Sequence, residues 1–271
     1  MRIASSERVV YEHNPLAEVV CQVRFERLNE LTEDEIVTLR AEFANIGYTG
    51  FGEEVVFGFA QQIGLGGLAP AAPVVLPQTR IRHFSSADGI LRVSVCWEFV
   101  AFSCSKYSNW SDFSSRLTAA FLVFLRMKND AKPVRLGLRY KDVIEREPLG
   151  LDGVPWHELI QTFLLGPLAP DALAPGQTIA DADIGNFLSQ TLLHLDDAML
   201  LLQSSLLASR DGQRRAFLID ADFYCEGGHL GEILAKPEVL TTRLESLHSN
   251  AGALFRQGIT RRLHDALRPS S

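Results

Sequence analysis

The sequence predicts an α+β protein of two related layers, each an antiparallel sheet covered on one face by a long helix. Three observations lead there. Apolar and polar residues alternate in "ILRVSVCWEFVAFSC" and "VRLGLRYKDVI", and a period of two marks a strand with one buried face. Stretches with a period near 3.6, "SDFSSRLTAAFLVFLRMKN" and "LESLHSNAGALFRQGITRRLHDAL", supply helices long enough to roof such sheets. A Pro/Gly-rich connector, "GPLAPDALAPGQ", separates the two sets.

Taken in order, "PLAEVVCQVRFERL" from Pro15 is a strand by its β-branched and apolar content. The next segment changes period. Thr32 and Glu35 form a capping box, Ile36, Leu39, Phe43 and Ile46 make the apolar stripe, and Gly47 ends the helix. "GLGGLAPAAPVVLP" from Gly64 reads as a surface loop, because its prolines prevent a helix N-terminus and no Lys-Ser/Thr follows the glycines. From Arg80 the pattern is β, with a turn at Ala87-Asp88-Gly89. Leu91, Val93, Val95, Trp97, Phe99 and Ala101 then alternate with polar neighbours as one half-buried strand.

Phe113, Leu117, Phe121 and Phe124 line one side of the following helix. After Pro133, Val134, Leu136, Leu138 and Tyr140 share one strand face, and Arg135, Arg139 and Lys141 share the other. "WHELIQTFLL" is a short helix ahead of the connector. Three strands follow in "NFLSQTLLHL", "AMLLLQSSLLA" and "AFLIDADFYCE", with turns at Asp196-Asp197 and Asp211-Gly212. A long terminal helix opens near Pro237. The expected division is residues 1–150 as an N-terminal sheet-plus-helix domain, 151–180 as connector, and 181–271 as a C-terminal three-stranded sheet with a long helix. The two halves are expected to be distant copies of one layer.

Composition restricts function. With 271 residues, 46% hydrophobic and 22% charged, the chain is able to bury a sizeable core. A net charge of −7 gives no overall attraction to phosphate backbones, so nucleic acid is not an expected partner. Nothing approaches the roughly 18 apolar residues of a membrane span, and the first residues lack a signal-peptide core. Cys21, Cys96, Cys104 and Cys225 sit in separate apolar runs, which fits reduced, buried thiols better than a zinc site. A soluble, cytoplasmic protein without a metal or cofactor is expected.

Two charged rows are candidate binding residues. Asp220 and Asp222, two apart in a strand, face one side and, together with Glu226 and His229, are candidates to hold a hard cation, which favours carboxylate oxygens. The plainer use of such acids is solvation or pairing with basic residues. Arg135, Arg139 and Lys141 suit a nucleotide, phosphate or RNA backbone, or else ion pairs with carboxylates on a neighbouring element. If the two layers pack together, these rows are expected to meet at the seam between them. No GxSxG is present and the histidines are scattered, so no catalytic residue is assigned. His194 with Asp196 and Asp197 marks a hairpin turn, and Tyr107 and Trp110 mark a helix entry.

In the terminal helix, Leu244, Leu247, Ala251, Leu254 and Phe255 trace the apolar stripe with His248 within it or at its edge. Gly252 and Gly258 each cost roughly 1 kcal/mol in a helix interior, which points to a kink near Gln257 or a close approach by another backbone. His248, Gly252, Phe255 and Gly258 are therefore expected to form a packing seam.

Three blocks, "NPLAEVVCQVRF", "RLGLRYKDVI", and "FLIDADFY" followed by "LESLHSNAGALFRQGIT", resemble the signature blocks of a sporadically distributed prokaryotic family of uncharacterised proteins. Members often carry Asn after the LRY, where this chain has Lys141 and Asp142. The family's patchy distribution resembles that of genes on mobile or defence-associated islands. The expected function is a non-enzymatic interaction or regulatory protein acting through a protein partner or self-association, an accessory of a mobile or anti-phage defence system. The alternative is a ligand- or nucleic-acid-binding module, or a metal-dependent enzyme, using the Arg135/Arg139/Lys141 row and the Asp220/Asp222 pair.

Overall fold

The computed structural model describes residues 1–56, 59–60, 74–75, 79–209, 214–227 and 230–270. Its strands are β1 (Val10–Tyr11), β2 (Leu16–Phe25), β3 (Gly50–Val56), β4 (Phe59–Ala60), β5 (Val74–Val75), β6 (Thr79–Ser85), β7 (Leu91–Val95) and β8 (Phe99–Cys104) in the first part of the chain. β9 (Pro133–Glu145), β10 (Leu188–His194), β11 (Met199–Ala208), β12 (Arg215–Glu226) and β13 (Pro269–Ser270) follow. The helices are α1 (Glu33–Asn45), α2 (Trp110–Met127), α3 (Thr162–Leu165), α4 (Leu230–Ala235), α5 (Pro237–Gly258) and α6 (Arg261–Ala266). The protein is a mixed helix-and-sheet fold with antiparallel pairing.

Two compact units divide the chain. The first comprises Met1–Cys21, Ser105–Asn109 and Arg135–Ser271, and the second Gln22–Cys104 and Trp110–Val134. This is not the expected division at residue 150. Strand pairing sets the limits: β9 lies along β12, with Asp222 opposite Arg139, so residues far apart in sequence belong to one body.

In the first unit the strand order is β10-β11-β12-β9-β2. Leu136, Leu138, Tyr140 and Ile144 of β9 lie on the same buried face as Phe217, Ile219, Ala221 and Phe223 of β12. α5 packs on that face through an apolar stripe of Leu240, Leu244, Leu247, Ala251 and Leu254. Each of these leucines contributes roughly 1.5–3 kcal/mol by leaving water. Pro237 sits in the first turn of α5, where its missing N–H costs no hydrogen bond.

The second unit orders its strands β8-β7-β6-β3. α1 packs on α2, and α2 on β8. The core is aromatic: Phe43 meets Phe84 at 4.6 Å, Phe102 meets Phe113 at 5.2 Å, and Phe25 stacks on Phe124 at 5.7 Å. The Thr32/Glu35 capping box forms as its spacing requires, while Ile46 falls at the C-cap and is exposed instead of continuing the stripe.

Three local expectations change. The run from Leu91 to Ala101 is two strands, since the chain reverses at Cys96-Trp97-Glu98, where Cys96 N–H donates to the Phe99 carbonyl. Alternation persists through a turn without glycine or proline, so periodicity does not register the reversal. "WHELIQTFLL" forms a 3₁₀ turn over Trp156–Glu158 and then the single turn α3. The terminal helix stops at Gly258, where an added Cβ would lie 2.9 Å from Leu164 Cδ1. Ile259 then bridges to Ile160, and the Thr260 side chain caps α6. The "GLGG" loop reading and the turn at Asp211-Gly212 lie outside the described residues.

Candidate functional site

Both expected charged rows stand on neighbouring strands of the first unit and project to the same face of its sheet. The register places Asp220 opposite Lys141 and Asp222 opposite Arg139. The side chains, however, pair along the diagonals. Arg139 reaches Asp220 with Nε at 2.6 Å and Nη2 at 2.5 Å, a two-pronged contact suited to the planar guanidinium. Arg135 Nη2 lies 2.7 Å from Asp222 Oδ2. Lys141 turns to β2 and donates to Glu18 at 2.5 Å. The rows thus meet within one sheet, not across a seam between layers.

The Arg135 contact depends on its surroundings. Its guanidinium carbon sits 4.1 Å from the Tyr224 ring centroid, a cation–π arrangement. Gly137 lies beneath: a Cβ there would stand 2.5 Å from Arg135 Nη1 and 3.2 Å from Asp222 Oδ1. The glycine therefore leaves room for the arginine to lie flat across the strand. Asp220 accepts from Arg139 and Asp222 from Arg135, so each carboxylate already has a cationic partner within the chain.

On the opposite face, where α5 packs, is a second polar group that the pattern of charged rows does not reveal. Asp142 follows Tyr140 on the apolar side of β9 and is 7% exposed. Burial, with the nearby Asp220 charge, pushes its carboxyl up to about 7. Tyr140 Oη is 2.8 Å from His248 Nδ1, and burial raises the Tyr140 hydroxyl well above its usual range. Burial, reinforced by Arg8, brings His248 down to about 4. A similar pair joins Tyr11 Oη to His264 Nδ1 at 2.9 Å.

The sequence signals for these residues were present but local. Asp142 breaks the run of apolar side chains at Leu136, Leu138 and Tyr140; Gly137 interrupts a strand between two arginines; Glu18 is the single acid of its strand. None of these signals names its partner.

Of the expected seam residues, His248 meets Tyr140, Phe255 meets the Tyr11 ring edge-on at 5.8 Å, and Gly258 lies beside Leu164. Gly252 has nothing within 4 Å of its Cβ position. At the hairpin turn, Asp196 pairs with the Met1 amino group at 3.0 Å, and Asp197 accepts a hydrogen bond from Ser246 at 3.1 Å. Tyr107 meets Tyr140 edge-on, and Trp110 stacks on Phe113 at the start of α2. His229 lies outside the described residues. Among the described residues, no cluster of three or more His, Cys, Asp or Glu is placed to hold a metal ion, and no helix is long and apolar enough to cross a membrane.

No protein-family model and no curated protein matches the chain. Among solved structures it is similar to one titled "Structure of S. pombe Pct1 RNA triphosphatase in complex with the Spt5 CTD", at 10% identity over 97% of this chain and 88% of that one, with a TM-score of 0.16.

Proposed function

We propose that the protein is a non-enzymatic interaction or regulatory protein acting through a protein partner or through self-association, and an accessory of a mobile or anti-phage defence system. One observation carries the reading: the side chains best suited to hold an anion or a cation hold one another. Arg139 engages Asp220, Arg135 engages Asp222, and Lys141 engages Glu18. A phosphate or divalent ion entering this row would compete with an ion pair already made. The defence-island setting rests on the sequence resemblance alone.

The same reading takes the two units as distant copies of one layer. In each, an antiparallel sheet meets a long helix, α5 on β12 in the first and α2 on β8 in the second.

The test is sedimentation of the purified protein over a range of concentrations, with identification of copurifying proteins from the native host and titration with Mg²⁺ and a single-stranded oligonucleotide. Self-association or a stoichiometric protein partner is expected. Saturable binding of Mg²⁺ or oligonucleotide that disappears in Arg139→Gln or Asp222→Asn would establish the ligand-binding alternative instead.

A further inference from the structure

The geometry points to β10 as a self-pairing edge, whose partner is the β10 of a second copy of this chain, joined antiparallel about a two-fold axis through Gln190. The inference rests on the self-association branch of the proposed function and specifies its surface. β10 ends the strand order of the first unit's sheet. Natural edge strands are commonly protected by lysine, proline or a bulge. β10, "LSQTLLH", has no lysine or proline and pairs residue for residue with β11 from Leu188 to His194. Leu188 and Leu192 are 63% and 50% exposed. At the end of the second unit's strand order, β3 instead carries Glu53 and Glu54.

The backbone direction fixes the register. The Phe187 carbonyl accepts from Leu206 N–H, and Leu195 N–H donates to the Ala198 carbonyl, so odd-numbered residues turn their peptide groups toward β11. Even-numbered ones turn outward, because peptide direction alternates along a strand. The His194 carbonyl accordingly accepts from the Met1 amino group at 3.2 Å, which closes that end. Among the described residues, Leu188, Gln190 and Leu192 form the open edge, and Gln190 is its midpoint.

A two-fold axis at the midpoint sets Gln190 opposite Gln190 and each Leu188 opposite the other copy's Leu192. All three outward residues then fall in hydrogen-bonded positions, giving about six backbone hydrogen bonds. The leucines meet as cross-strand pairs on one face. Gln190 Oε1 already accepts from Gln203 at 2.6 Å, which leaves the Gln190 amide nitrogen available as a donor. No like charges oppose one another across this register. The surface is small, so the dimer is weak and concentration-dependent.

Cysteine cross-linking tests the register. Opposed Cα atoms in a hydrogen-bonded pair lie about 5.5 Å apart, within disulfide reach, and the four native thiols are buried. On mild oxidation, Gln190→Cys should give a covalent dimer, as should a mixture of Leu188→Cys with Leu192→Cys, whereas Leu188→Cys alone should not. Leu192→Lys should weaken the dimer about tenfold in sedimentation, through the loss of two cross-strand pairs. Cross-linking no faster at Gln190→Cys than at Leu188→Cys, or a dimer unchanged by Leu192→Lys, overturns the β10 edge but leaves self-association intact. A wild-type monomer that copurifies with another protein also overturns it while leaving the broader reading. A monomer with no partner overturns both.

Discussion

Arg139 and Asp220 stand diagonally across the β9–β12 pair, and the guanidinium holds the carboxylate through Nε and Nη2 at 2.6 and 2.5 Å. Asp220 is 4% exposed, whereas the Arg139 side chain is 40% exposed. The asymmetry matters because the acid pays the larger desolvation penalty and depends on the arginine to offset it. Losing one partner of a buried pair costs about 3–5 kcal/mol, chiefly by leaving the other charge uncompensated; the exposure of Arg139 reduces that here.

Arg139→Glu should therefore destabilise the protein by about 2–3 kcal/mol in denaturant unfolding. Asp220→Arg in the same chain should recover part of the loss. A double-mutant cycle should show coupling, because the two residues touch. Additive effects would mean that the pair does not contribute as a unit.

Gly137→Ala tests the space under Arg135. The new methyl group would displace the Arg135 guanidinium from Asp222 and from the Tyr224 ring. The end of an arginine moves readily, so the cost is the weakened contact, about 1 kcal/mol. In an Arg135→Ala background the same substitution should cost little. An equal loss in both backgrounds would locate the strain in the backbone.

Asp142 gives a dependence of stability on pH with a defined sign. Its folded-state value of about 7 lies above the ordinary 3.8, so folding takes up a proton between those limits. Its contribution is most favourable below pH 4, falls as pH rises to about 7, and is level above that. Asp142→Asn should match wild type near pH 4 and be more stable at pH 8, by on the order of 4 kcal/mol. A stability difference independent of pH would mean that the carboxyl is not held in its neutral form.

His248 acts in the opposite direction. Burial, with Arg8, lowers it from 6.5 to about 4, so it favours folding above pH 6.5 and loses that contribution as pH falls toward 4. His248→Leu should fold and should lack this acid-side loss. Relative to wild type, the stability of His248→Leu should decline between pH 4 and 6.5, by on the order of 3 kcal/mol. Measuring both variants by urea unfolding at several pH values separates the two groups, which offset each other in the wild-type chain.

What the sequence determined by itself was local. The Thr32/Glu35 spacing specified the start of α1, since a capping box is closed within four residues. The period of two specified which β9 side chains share a face, because alternation is a property of the single strand. It therefore places Arg135, Arg139 and Lys141 together, and Asp220 with Asp222, independently of any partner strand.

The tertiary structure decided what these residues meet. β9 pairs with β12, and that register brings Arg139 to Asp220, 81 positions away. A pairing of this kind is set by burial of both inner faces at once, and no single segment encodes it. Asp142 shows the same limit. Its place on the apolar face was legible from strand parity, but its elevated proton affinity comes from burial and from Asp220, which only folding brings near. The hairpin at Cys96-Trp97-Glu98 and the break after Gly258 were also tertiary decisions, made by the Cys96–Phe99 hydrogen bond and by Leu164 beside the glycine. Short-range chemistry set the elements and their faces, and long-range packing chose the partners that give the charged rows their meaning.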